Sequence, residues 1–260
     1  MRMRMTEVSK MAVAASTLWA LFAAPASADS MPIKVGVNKN MEAQLMTPDG
    51  PGPYPAILLL HTSGGLQSGD MEYAKRLIAE GYVVLVPSFL EAYGIRAKTR
   101  HFTFTTYAQP IYDDFVASLE ILRSNNKVNS KKLGAIGFSN GAYFALWLAA
   151  TGQVQAGVSY YGALTGAGTD SSLTRFQQSF RSTSSPVLIF HGTDDNTVRV
   201  GQAAELDRIL TEAQAPHEFY QYVGAEHRFD RDRSTSNDAA AKDAWQRTLA
   251  LLNKTENEKP

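Results

Sequence analysis

Gly137-Phe138-Ser139-Asn140-Gly141 sets a serine between two glycines, the G-x-S-x-G pattern that lifts a hydroxyl clear of the backbone on a sharp strand-to-helix turn. Such a hydroxyl is a poor nucleophile near neutral pH. It needs a base within hydrogen-bond reach, and the base needs a carboxylate to orient it. Chance supplies the pentapeptide in roughly one chain of this length in ten, so its surroundings decide its meaning. Here an apolar run over 133–137 ends at the serine and a helical pattern over 141–150 begins after it. Downstream, Asp194 and Asp195 follow the apolar run 186–190, and His227 follows the strand-like run 218–223. The order Ser, Asp, His is the one this turn requires. Each residue alone has an ordinary explanation: Ser139 as a helix start, the aspartates as turn formers, His227 as a loop histidine. Together, each just beyond an apolar strand, they read as a nucleophile, an acid and a base. Which of the two adjacent aspartates turns inward is left open by the residues themselves.

Acyl transfer through a serine also needs backbone N–H donors for the developing oxyanion. One belongs to Asn140, directly after the nucleophile. The second belongs to the loop His61-Thr62-Ser63-Gly64-Gly65, with Ser63 the favoured donor and Thr62 the alternative. His61 and His191 end apolar strands and read as structural, His217 begins a strand, and His101 lies in a loop within reach of a substrate.

These residues must be held by a regular frame. After a strand pair around 33–37 and 42–46, strands at 56–60, 82–86, 133–137, 156–161, 186–190 and 218–223 alternate with helices at 71–80, 111–123, 141–150, 202–212 and 238–252. That alternation predicts a parallel sheet covered by helices on both faces. Runs such as Ile57-Leu58-Leu59-Leu60 are continuously apolar, as strands buried on both sides are. Two stretches, 88–109 and 164–185, fit no regular element. Both leave carboxyl ends of strands, where open α/β sheets bind ligands, so they are candidate substrate walls. Residues 253–260 read as a frayed tail.

The 260 residues, 44% of them hydrophobic, suit one domain with a sizeable core. Lys+Arg and Asp+Glu stand at 25 each with no basic run, which excludes the footprint of a nucleic-acid binder and leaves a small-molecule partner. At the N-terminus, Arg2, Arg4 and Lys10 precede a mostly apolar stretch over 11–24 and the small residues Ala26-Ser27-Ala28. This reads as a signal peptide, 1–28, too short to span a membrane, with cleavage after Ala28, an exported domain over 29–260 and a periplasmic location. The chain contains no cysteine, which rules out thiol catalysis, thiolate metal sites and disulfides.

Over about 56–227 the chain resembles the dienelactone hydrolase branch of the α/β hydrolases. The likeness is carried by Leu58-Leu59-Leu60-His61 through Gly64-Gly65-Leu66, by Ala79-Glu80-Gly81-Tyr82-Val83-Val84-Leu85-Val86-Pro87, by the turn at Ser139, by His191-Gly192-Thr193-Asp194-Asp195 and by Gly224-Ala225-Glu226-His227. The resemblance implies an α/β-hydrolase fold with an eight-stranded, mostly parallel sheet. It places the acid at Asp195, four residues after His191, and the base at His227. The family's namesakes use a cysteine nucleophile where this chain has Ser139, which points to a general serine esterase, and Ser88 stands where many relatives carry aspartate. Arg96, Arg100 and His101 in the individual 88–109 loop are left outside the site as solvated charges.

The expectation is therefore a serine hydrolase of carboxylic esters or lactones that needs no metal or organic cofactor. A peptidase or acyl-peptide hydrolase would use the same triad, and a non-catalytic binding protein on this scaffold is the rival from another class.

Overall fold

The apolar runs become the strands of one sheet. The computed structural model describes residues 29–165 and 171–257, so the expected signal peptide lies outside the described residues. In chain order the strands are β1 (Asp29–Val35), β2 (Met41–Thr47), β3 (Tyr54–Leu60), β4 (Val83–Pro87), β5 (Val128–Phe138), β6 (Ala156–Tyr160), β7 (Val187–Gly192) and β8 (His217–Tyr222). They lie in the order β1-β2-β4-β3-β5-β6-β7-β8. β1 and β2 run antiparallel at one edge, and β3 to β8 are parallel. This is the mostly parallel α/β-hydrolase sheet expected from the sequence.

Strand side chains alternate between the two faces, which splits the core in two. Leu58, Leu60, Val83, Leu85, Ala135 and Ile189 meet helices α3 (Ala108–Arg123), α4 (Asn140–Ala150) and α6 (Gly201–Glu212) through Phe115, Leu119, Phe144, Leu148 and Leu206. Ile57, Leu59, Val84, Ile136, Val158 and Leu188 meet α1 (Ser68–Ala79) and α7 (Thr235–Asn257) through Tyr73, Leu77, Ala244 and Leu252. Burying each such side chain contributes about 1.5–3 kcal/mol before the cost of ordering it. α4 is buried on every side, which its composition requires because it carries no charge.

The register lines up the carboxyl ends. Leu60 sits opposite Gly137, Phe138 opposite Tyr160, Tyr160 opposite Phe190 and Gly192 opposite Tyr222. Everything that leaves β3, β5, β7 and β8 therefore starts from one edge.

Three expectations are corrected. The stretches 88–109 and 164–185 are not wholly irregular: the first contains α2 (Phe89–Ala92) and a 3-10 turn over Arg100–Thr103, the second α5 (Ser171–Ser179). α7 continues through Asn257, so residues 253–257 extend a helix and are no frayed tail; only 258–260 lie outside the described residues. β5 starts five residues earlier than its apolar run, because Val128 already pairs with Tyr54 across a register shift. Among the described residues, no helix is long and apolar enough to cross a membrane.

Candidate active site

β5 delivers Ser139 on a turn that ordinary residues avoid. Its φ of +50° and ψ of −112° cost about 1–3 kcal/mol for a residue with a Cβ. The surroundings hold it there: Ser139 N donates to Tyr160 O at 3.0 Å, and Ser139 O accepts from Ala142 N and Ala163 N, both at 3.1 Å. The flanking glycines are steric necessities. A Cβ on Gly137 would lie 2.3 Å from Gly141 O, and one on Gly141 would lie 2.3 Å from Leu60 O.

β7 and β8 deliver the other two residues through a close crossing of their loops. Gly192 packs so tightly on Ala225 that a Cβ would sit 2.1 Å from its carbonyl oxygen. Asp194 N donates to the same oxygen at 3.0 Å, and Thr193 N to Tyr222 O at 3.0 Å. This pairing decides between the aspartates: Asp194 faces solvent, where Thr193 Oγ1 donates to it, and Asp195 turns inward onto His227. His227 Nδ1 lies 2.7 Å from Asp195 Oδ2. A carboxylate only accepts, so Nδ1 carries the proton and Nε2 is left with a lone pair, the tautomer of a general base.

Asp195 is buried, yet every lone pair that matters is used. Oδ1 accepts from Thr197 N at 2.9 Å and Val198 N at 2.7 Å, and Oδ2 also lies 3.2 Å from His191 Nε2. Burial alone would push this carboxyl up, but the hydrogen bonds from His191, His227 and the Val198 N–H outweigh it and hold it well below the usual carboxylate range. His191 was read from sequence as structural. The structure places its ring fully buried against Asp195, with Nε2 also donating to Val198 O at 2.8 Å. Nothing in the sequence flagged this contact, because the return of Asp195 onto His191 at the end of β7 depends on how the following loop turns.

The loop carrying His227 is tied down from several sides. Tyr161 sets its ring edge-on to the imidazole with centroids 4.7 Å apart, and its hydroxyl donates to Asp230 Oδ1 at 2.6 Å. Arg231 pairs with Asp230 at 3.2 Å and with Asp70 of α1 at 2.7 Å, lying over the ring of Phe138. Burial pushes the Asp230 carboxyl up, with Arg231 opposing. Asn237 accepts from Glu226 N at 2.9 Å and donates to Asp232 O at 2.8 Å. No hydrogen bond joins Ser139 Oγ to His227 among the described residues. Such contacts often close only when substrate is bound.

Beside Ser139 opens a cavity of about 450 Å³. Ser63 and Asn140 reach it. In the loop after β3, Thr62 holds the turn itself, its Oγ1 accepting from Gly64 N at 3.2 Å and its carbonyl from Gly65 N at 3.2 Å and from His61 Nδ1 at 2.8 Å. Ser63 N makes no hydrogen bond among the described residues. His61 is buried and stacked on Phe89, and burial lowers its basicity; His217 begins β8 and contacts Asp207 at 3.1 Å. Both fit the structural reading. Lys98, Arg100 and His101 line the cavity, and among the described residues no acidic side chain does. Arg100 and His101, expected from the sequence to lie outside the site, thus border the cavity. A larger hollow of about 590 Å³ between Pro186, His217 and Lys254 lies at the amino ends of β7 and β8, far from the chemistry. Among the described residues, no three His, Asp or Glu side chains are grouped to hold a metal ion.

The model of the dienelactone hydrolase family matches residues 41–256. The chain belongs to that family. Its relatives include a Synechocystis protein provisionally named a carboxymethylenebutenolidase, 28% identical, with 83% of this chain and 93% of the relative aligned. Among solved structures, a provisionally named dienelactone hydrolase from Klebsiella pneumoniae superposes with a TM-score of 0.72 at 23% identity, covering 87% of this chain and 99% of the other. Esterase 2 of Thermogutta terrifontis, phosphorylated by paraoxon, superposes with a TM-score of 0.70 at 18% identity, covering 90% and 96%. The structural likenesses establish the dienelactone hydrolase fold, and the family establishes hydrolysis of the ester or lactone type.

Proposed function

We propose that this protein is a serine hydrolase that cleaves carboxylic esters or lactones through an acyl-enzyme on Ser139. The observation that carries the proposal is the His227 Nδ1 to Asp195 Oδ2 hydrogen bond at the sheet edge where Ser139 is displayed. His227 Nε2 takes the Ser139 proton as Oγ attacks the carbonyl carbon. The oxyanion is met by the N–H groups of Asn140 and Ser63, and the proton passes to the leaving alkoxide as the ester bond breaks. Water then attacks the acyl-enzyme with the same base and returns Ser139. For a lactone both halves remain one molecule, a hydroxy acid. The cationic rim of Lys98 and Arg100 supports substrates that carry an anionic group near the ester.

Purified protein, tested on p-nitrophenyl acetate and butyrate with and without a fluorophosphonate, checks this. Turnover abolished by a label that maps to Ser139 supports the mechanism; turnover that survives complete labelling of Ser139 refutes it. Export to the periplasm is part of the same proposal, and N-terminal sequencing of the protein from its own cells should give Asp29 as the first residue.

A further inference from the structure

Asn140 places a carboxamide beside the reacting serine and gives it nothing to bind. The residue is 3% exposed, and its Nδ2 is buried without a partner. No hydrogen bond reaches either end of the amide among the described residues, yet Asn140 lines the cavity together with Ser139, Ala163 and Thr165. Elsewhere the same fold treats a buried asparagine quite differently. Asn237 is equally hidden, and both ends of its amide are paired. Apart from the Tyr143 hydroxyl and the Trp147 indole N–H, the rest of α4 is apolar and buried, so a leucine at 140 would satisfy the helix and its packing better than an unpaired amide does. The amide is therefore unpaired at the wall of the cavity.

Its reach limits what that ligand is. In the proposed mechanism the backbone N–H of the same residue meets the oxyanion, and consecutive Cα atoms are about 3.8 Å apart. An amide on a single methylene then meets atoms one or two bonds from the scissile carbonyl, not the far end of an acyl chain. A half-turn about its last torsion exchanges its two ends and breaks no hydrogen bond.

We infer that the Asn140 carboxamide is a specificity-determining contact that donates an N–H to an oxygen on the α or β carbon of the acyl group, so that hydroxy-, alkoxy- and oxo-acyl esters and lactones are preferred to plain alkanoyl ones. This rests on Ser139 being the nucleophile. An alkanoyl chain leaves the donor dehydrated and unpaired, whereas an oxygen in the same place pairs it, a difference on the scale of one net hydrogen bond.

The test compares p-nitrophenyl methoxyacetate with p-nitrophenyl butyrate, which match in length and differ by an ether oxygen for a methylene. The quantity read is the ratio of their kcat/KM values in wild type against Asn140→Leu, with Asn140→Ala as a second variant. Intrinsic ester reactivity and the fraction of folded enzyme both cancel. The ratio should fall about tenfold in each variant. A ratio unchanged within about twofold, with both esters still turned over, overturns the subsite and leaves the hydrolase standing. No turnover of either ester by wild type overturns both.

Discussion

Replacing Asp195 by asparagine changes one atom and should remove most of the activity. The carboxylate faces donors on both sides: the Thr197 and Val198 N–H groups at Oδ1, and the His227 and His191 N–H groups at Oδ2. A carboxamide has one oxygen. If its NH2 faces His227, the ring must accept at Nδ1 and carry its proton on Nε2, which disables the base. In the chymotrypsin-type triad that wrong-tautomer state lowers kcat by about 10⁴. If instead the NH2 faces the loop, the buried Val198 N–H and the part-buried Thr197 N–H lose their acceptor, at about 1–3 kcal/mol for the buried one. The first arrangement meets two side chains that can retautomerise or shift, the second meets rigid backbone, so the first wins. Asp195→Asn should therefore lower kcat/KM on p-nitrophenyl butyrate by three to four orders of magnitude, about 4–5.5 kcal/mol of transition-state stabilisation, with little change in KM. Asp194→Asn, exposed one residue away, should stay within about twofold of wild type. If Asp195→Asn kept more than a tenth of wild-type activity while folded, the assignment of the acid and the tautomer argument would both be wrong.

Other outcomes follow from the same contacts. The Asp195 carboxyl is held below its ordinary range in the folded state, so the stability it contributes is full above the unfolded value near pH 4 and is lost as pH falls toward the depressed folded value; urea melts should show the difference between wild type and Asp195→Asn largest at neutral pH and shrinking below pH 4. Gly141→Ala places a Cβ 2.3 Å from Leu60 O and 2.7 Å from His61 O, backbone that cannot give way, and should destabilise the protein by about 3 kcal/mol or more, read as a lower Tm; an unchanged Tm would mean the elbow is looser than its geometry. Lys98→Gln combined with Arg100→Gln should lower kcat/KM for a p-nitrophenyl hemisuccinate relative to the butyrate by about fivefold, the scale of two exposed and partly screened charges, and the preference of wild type should fade with added salt.

The frame was legible because its physics is local. A run such as Leu58-Leu59-Leu60 is apolar at every position, so it has one good environment, the middle of a covered sheet, and the helices between such runs could only cover it. The placement of Ser139 and His227 was legible for a different reason: each stood just past an apolar strand, and the strand register brings both to one edge. What the sequence withheld depends on the path of a loop. Asp194 and Asp195 are chemically identical, and only the pairing of Asp194 N with Ala225 O, made possible by the absent side chain at Gly192, turns the second one inward. The 88–109 segment shows no helical period because its pieces are a four-residue helix and a 3-10 turn. Yet buried Ile95 and Phe104 flank its exposed cations, and Phe104 packs edge-on against Tyr143 of α4. Ile95 and Phe104 anchor the segment to the core on either side of Lys98 and Arg100, so these exposed charges are tethered at the rim of the cavity beside Ser139 and do not range freely through solvent.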